Sequence, residues 1–248
     1  MSANIDVLNP NKPKRVLIVA ANPGVSKQTG WPIGFWWAEL THPYWEFVER
    51  GYKVEIRSVE GGDLQADGFS DPEDASGYSA HDLISLGFKK SPSHVALIQN
   101  TQSIEGVAVD DYDAIFLVGG QSPMYTFIDH HKLHNLVARF YEAGKITAIV
   151  CHATCVLLKT KLSDGKLLVE GKTWTGFADS EEEFADSFVG KRIQPFRIEE
   201  EARRLPNTNF VVHSRFKAFA VRDGNLITGQ QQYSGAAAAR LVIEALGQ

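Results

Sequence analysis

Short β-branched apolar runs alternate along this chain with longer stretches whose apolar residues recur at helical spacing, a pattern that predicts an α/β fold. RVLIVA (Arg15 to Ala20) is the first strand, a helical run covers Trp36 to Arg50, and YKVEIRSV (Tyr52 to Val59) is the next strand. The chain therefore opens as a βαβ unit. Glu60 to Tyr78 is rich in Gly, Asp and Ser and poor in apolar residues, which predicts a long surface loop. A helical segment near His81 to Thr101, a strand over Asp113 to Gly120, a helix from His130 to Ala143 and a strand over Lys145 to Val150 resume the alternation. LLVEGKTWTGF then reads as a strand pair, FKAFAVRDGNLITG as a hairpin turning at Asp223-Gly224, and SGAAAARLVIEAL as a small-residue helix that packs closely on the sheet. Strands this uniformly apolar belong to a mostly parallel sheet covered on both faces.

Composition narrows the classes of function. With 248 residues, 44% of them hydrophobic, the chain can bury one large core, so residues 1–14 are expected to be a polar leader and 15–248 a single α/β domain. The net charge of -5 and the lack of a basic run argue against nucleic acid or an anionic membrane surface as partner. No stretch approaches the roughly 18 apolar residues of a membrane span. Cys151 and Cys155 are the two cysteines, too few for a disulfide framework, and a reducing, cytoplasmic setting is expected.

The sharpest local signal is AIVCHATCVLL, where a β-branched strand delivers Cys151 into a turn that becomes a helix. This is the layout of a nucleophile elbow, and a helix N-terminus there is expected to favour the thiolate. The alternative is an ordinary buried thiol, the reading given to Cys155 one turn later. His152 is a base or acid, or contributes only its backbone N–H. Gly119 and Gly120 end a strand at the carboxyl edge of the sheet, which suits either oxyanion donors or a plain turn. Glu39 stands in an aromatic run, GFWWAEL, so it is either desolvated or on the polar face. Glu181, Glu182 and Glu183 look like the charged start of a solvated helix. His130, His131 and His134 include an i,i+4 pair, but without a carboxylate or cysteine to complete a set no metal site is expected. Trp31, Trp36, Trp37 and Trp45 are expected in the core, some of them walling a pocket.

Taken together, four segments resemble the ThiJ/PfpI superfamily, and within it the glyoxalase III and heat-shock chaperone branch. They are Glu-Leu-x-His-Pro-Tyr at Glu39 to Tyr44, Asp110 to Gly120, Ala-x-Val-Cys-His at Ala148 to His152, and Gly171 to Glu182, joined by the final hairpin. The resemblance implies the class I glutamine-amidotransferase-like fold, a flavodoxin-like three-layer sandwich with a mostly parallel central sheet and a nucleophile elbow. It implies Cys151 as nucleophile, Glu39 as the carboxylic acid beside it, His152 as its partner and Glu182 as the carboxylate orienting the histidine. Gly120 and the His152 backbone match the oxyanion donors, with Gly119 and Gln121 alongside. The sequence departs from that branch at Gln121-Ser122 and at Ala153-Thr154, and contains no His-x-Glu of the amidotransferase type. The activity implied is that of a cofactor-independent cysteine enzyme acting on small reactive carbonyls, and the assembly implied is a homodimer, as in such relatives. An amidase, protease-like hydrolase or isonitrile hydratase using the same thiol, and a stress chaperone or redox sensor without turnover, are the alternatives.

Overall fold

The computed structural model describes residues 13–247. Most of the proposed leader, residues 1–12, lies outside the described residues. Seven strands form the central sheet: β1 (Arg15–Ala20), β2 (Lys53–Ser58), β3 (Gln102–Ser103), β4 (Ala114–Leu117), β5 (Ile146–Val150), β6 (Ala220–Asp223) and β7 (Leu226–Gly229). Their order is β6-β7-β5-β4-β1-β2-β3, and every pairing is parallel except the β6-β7 hairpin at one edge. Val16 to Ala20 and Ala114 to Val118 are all 0% exposed, so successive side chains on opposite faces are equally buried and helices cover both sides. The fold is the flavodoxin-like α/β sandwich.

Helix α1 (Trp37–Glu49) packs against the C-terminal helix Gly235–Ala245 and the sheet, and a second helix, His131–Glu142, packs on β4 and β5. The small residues of the C-terminal helix allow a close approach: a Cβ on Gly235 would stand 3.2 Å from the ring of Pro43 on α1. Pro43 sits inside α1, where it removes one backbone donor without ending the helix.

Four expectations need correction. The segment from His81 to Thr101 is broken rather than one helix: Leu83–Lys90 ends before Pro92, which starts a new short turn, Pro92–Val95. LLVEGKTWTGF is not a strand pair; its one strand, Thr173–Trp174, pairs in parallel with the distant Asn209–Phe210. In the edge hairpin Asp223 faces Leu226, so Gly224-Asn225 make the turn, with Gly224 at φ +66°. The loop after β2 is not a surface loop throughout, because Asp67 and Ser70 are buried and Phe69 and Tyr78 face a cavity beside Cys151.

Candidate active site

Strand β5 ends at Val150 and the chain turns at once into a tight 3-10 run, Cys151–Leu158. Cys151 occupies the left-handed region at φ +56°, a conformation that costs a non-glycine residue roughly 1–3 kcal/mol and marks a nucleophile elbow. Local contacts hold it there. The Thr154 hydroxyl donates to the Cys151 carbonyl at 2.7 Å, so the Ala153-Thr154 departure supplies a tie to the strained residue. Gln121-Ser122 is likewise wired in: the Gln121 N–H donates to Asp67 at 2.7 Å and the Ser122 hydroxyl to the Asn22 carbonyl at 2.6 Å.

Two arms of polar groups converge on the sulfur. On one side His152 Nδ1 stands 3.5 Å from Cys151 Sγ, its Nε2 meets Glu182 Oε1 at 3.0 Å, and Phe177 stacks on the imidazole with ring centres 4.1 Å apart. On the other side lies Glu39, wholly buried on the first turn of α1. Its Oε2 accepts the Gly119 N–H at 2.8 Å, while Oε1 has no hydrogen bond of regular geometry among the described residues, although carboxyl and thiol interact electrostatically. Space is tight at this junction: a Cβ on Gly119 would meet Glu39 Oε2 at 2.5 Å and the Cys151 Cβ at 2.9 Å. The Gly119 N–H is thus committed to Glu39 and is not an oxyanion donor. Gly120, at φ +111°, lies against the backbone of Gly34 and Phe35 where a side chain would collide.

Burial governs the electrostatics. Loss of water raises the Glu39 carboxyl to about 7, against the smaller lowering effects of Cys151, His152 and the Gly119 N–H. Burial also pushes the Cys151 thiol up, and Glu39 pushes it further, while the His152 backbone N–H pulls the other way. The expectation of a thiol lowered by a helix N-terminus is therefore reversed: burial and the neighbouring Glu39 raise the thiol by more than the His152 backbone N–H lowers it. Burial alone would lower His152, but the Glu182 carboxylate turns the net direction upward and favours the imidazolium. Cys155 is fully buried, with its thiol directed at the Pro123 carbonyl 3.4 Å away and pushed up by burial as well.

The acidic triplet divides. Glu183 is exposed, but Glu181 and Glu182 are buried, contrary to the reading of a solvated helix start. Glu181 accepts the backbone N–H groups of Ala178 and Phe216 and an amide hydrogen of Gln230, pinning three chain segments beside the cavity. His130 and His134 face different partners, Glu60 at 2.7 Å and the Phe127 carbonyl at 2.8 Å. Trp37 is core, Trp31 and Trp36 line the cavity, and Trp45 is half exposed rather than buried.

Asp67 is the polar residue that sequence reasoning missed. Buried in the loop after β2, it accepts the Gly34 N–H at 2.9 Å and the Gln121 N–H at 2.7 Å, clamping together the two loops that flank Gly120. Burial raises its carboxyl to about 7 against the lowering effect of those bonds. A lone Asp among several in a Gly-rich loop carries no signal of this; the nearby Phe69 and Tyr78 were the better hint that the loop folds inward. Cys151, His152, Glu182 and Gln121 border a cavity of ≈ 200 Å³. Gln121 Oε1 has no partner among the described residues.

An elbow cysteine flanked by a buried glutamate and a histidine–glutamate pair, on this sheet, accords with a known family, whose pattern matches residues 34–245. The chain belongs to the DJ-1/PfpI family. Within reach of it is HSP31 of Saccharomyces cerevisiae, named a glutathione-independent glyoxalase, 26% identical over 238 residues that span 94% of this chain and 98% of that protein. The Rapid Encystment Protein of 24 kDa from Francisella tularensis superposes with a TM-score of 0.83 at 24% identity, covering 95% of this chain and all of that one. Glyoxalase III of Candida albicans superposes with a TM-score of 0.75 at 22% identity, covering 94% and 97% of the two chains. At these identities the two structures show a shared fold.

Proposed function

We propose that this protein is a cofactor-independent glyoxalase that converts a 2-oxoaldehyde and water to a 2-hydroxy acid. The observation that carries the reading is the convergence on Cys151 of a protonatable buried carboxyl, Glu39, and an oriented imidazole, His152. Relatives named as glyoxalases over nearly the full chain support it.

The Cys151 sulfur attacks the aldehyde carbon, and its proton passes by way of Glu39 to the aldehyde oxygen, giving a hemithioacetal. Glu39 then removes the hydrogen from that carbon while the His152 imidazolium gives its proton to the neighbouring keto oxygen, forming an enediol. Return of the Glu39 proton to the second carbon, with the first hydroxyl proton going back to His152, leaves a 2-hydroxyacyl thioester. Glu39 is again a carboxylate and His152 again an imidazolium: Glu39 takes a proton from the water that attacks the thioester, the oxyanion faces the backbone N–H groups of Gly120 and His152, and the departing thiolate recovers that proton from Glu39. Each residue ends in the protonation state in which it began, and no oxidant or reductant is consumed. Glu182 holds the imidazole tautomer and favours its protonated form. Gln121 offers its unpartnered amide oxygen to a substrate hydroxyl.

Both cysteines are unpaired, which suits the reducing cytoplasm. Among the described residues no helix is long and apolar enough to cross a membrane. A homodimer is the assembly proposed, twofold closure being the commonest, and light scattering that returns a single chain at every concentration overturns it. The test of function is formation of lactate from methylglyoxal without glutathione. Wild-type protein is expected to turn over and Cys151→Ser is not; equal rates in the two contradict the proposal.

A further inference from the structure

The cavity above Cys151 is built for something larger than the methyl group of methylglyoxal. Its walls are aromatic and come from three separate segments: Trp31 and Trp36 before and at the start of α1, Phe69 and Tyr78 from the loop after β2, and Phe184 and Phe188 from the helix Asp179–Val189. Trp31 meets Phe69 edge-on at 5.8 Å, Trp36 meets Tyr78 at 6.1 Å, and Phe69 meets Tyr78 at 6.4 Å, so the rings form one continuous wall. Phe184 and Phe188 remain 43% and 74% exposed, apolar surface that a small polar substrate would leave wet.

Charge points the same way. No lysine or arginine borders the cavity among the described residues. Two cations lie on the rings instead: Lys191 Nζ is 5.8 Å from the Trp31 ring centre and the Arg215 guanidinium is 4.7 Å from that of Phe184. At the reacting end the one cation among the described residues, the His152 imidazolium, is already paired with Glu182, and Glu39 adds a second carboxyl, so a phosphate or carboxylate on the substrate would find no free positive partner there. Size agrees as well, since ≈ 200 Å³ exceeds the roughly 150 Å³ in which an apolar protein cavity takes up a benzene ring.

We infer that the preferred substrates are neutral 2-oxoaldehydes whose second substituent is an aromatic ring or a bulky apolar chain, held in the aromatic chamber while the aldehyde carbon meets Cys151. This rests on the glyoxalase reading for the reacting end and on the chamber alone for the substituent. The aromatic chamber excludes water from the apolar group, and the differential burial of that group separates good substrates from poor ones.

The test compares kcat/KM for methylglyoxal, 2-oxohexanal and phenylglyoxal in the wild-type protein and in Phe188→Ala, whose exposed ring can be removed without emptying the core. A parallel binding measurement by ligand-observed NMR uses two ketones with no aldehyde to react, 2-hydroxyacetophenone and hydroxyacetone. Phenylglyoxal is expected to exceed methylglyoxal by at least about tenfold in kcat/KM, with 2-oxohexanal between them, and 2-hydroxyacetophenone to bind at least about tenfold more tightly than hydroxyacetone. Phe188→Ala is expected to narrow both ratios, and Trp45→Ala, outside the chamber, to leave them unchanged. Turnover of methylglyoxal at a rate equal to or above that of phenylglyoxal, together with equal binding of the two ketones, overturns the inference. If no aldehyde is converted yet the aromatic ketone still binds selectively, the glyoxalase reading fails while the chamber's preference stands.

Discussion

The base of the cavity and its walls are made on opposite principles. At the base, Cys151, Glu39, His152 and Glu182 are all 6% exposed or less, anchored at a strand end or within helical segments, and held by hydrogen bonds to one another or to nearby backbone. The walls are partly exposed aromatic rings carried by a loop, a helix face and the approach to α1, touching edge to edge, with the Tyr78 hydroxyl accepting from the Gln232 amide at 3.0 Å. On the proposed function, the contrast assigns reaction chemistry to the carboxyl end of the sheet and substrate choice to the periphery. A rigid, desolvated base keeps proton carriers at fixed positions, whereas loop-borne rings can change without disturbing them.

If that division holds, changes at the base act on turnover for every substrate alike. Glu39→Gln is expected to lower kcat by roughly 10²–10⁴ for methylglyoxal and phenylglyoxal together, measured in parallel steady-state assays. A loss confined to one substrate would place Glu39 in recognition rather than proton transfer. Glu182→Gln is expected to cost less, up to roughly a hundredfold, because the imidazole remains but its orientation and protonation are no longer fixed. Here the pH profile is the discriminating readout: as the carboxylate raises His152, its loss moves the titration of the histidine to lower pH, whereas a merely structural role leaves the profile in place.

A third prediction separates base from walls by stability. Glu39 and Asp67 both have native carboxyls raised to about 7, above their unfolded values of 4.5 and 3.8. The native state therefore holds its protons more tightly than the unfolded chain. The stability they contribute is full below about pH 4 and is lost as pH rises toward 7. Glu39→Gln and Asp67→Asn are each expected to flatten that fall, by up to the order of 3 kcal/mol per site, in urea titrations between pH 4.5 and 7.5. An unchanged slope in both variants would mean these carboxyls are ionised throughout. Activity follows the same group in the other direction, with kcat/KM rising through pH 7 as the Glu39–Cys151 pair loses its first proton. The smallest effect is expected at Cys155→Ala, about 1 kcal/mol of stability with turnover unchanged, since that thiol packs in the core away from the cavity.

The two regions were also unequally legible in the sequence. A β-branched strand running into Cys-His announces the elbow by local pattern alone, and the family likeness pointed to Glu39 and Glu182. Their burial was another matter, because Glu182 and the solvent-exposed Glu183 are neighbours on one helix and only the packing against His152 separates them. Asp67 escaped notice because its partners, Gly34 and Gln121, come from other loops. The direction of the thiol shift was misjudged for a related reason: a helix N-terminus is visible in sequence, whereas complete desolvation of the sulfur is a property of the assembled fold. The aromatic chamber gathers residues as far apart as Trp31 and Phe188, so no sequence window contains it. Six of the seven sheet strands were readable because each declares itself within a few residues; the two-residue β3, Gln102–Ser103, and Asn209–Phe210, the partner of Thr173–Trp174, were not, because they are too short to show a period.

Cys151 as the covalent nucleophile is the claim on which the rest depends, and trapping the intermediate tests it most directly. Wild-type protein turning over methylglyoxal is quenched in acid, digested and examined by mass spectrometry. The account predicts an adduct of the mass of one methylglyoxal on the peptide carrying Cys151 and His152, localised to the sulfur of Cys151 by fragmentation and absent from Cys151→Ser. Hydroxy acid formed with no adduct at Cys151, or with the adduct on Cys155 alone, would contradict it.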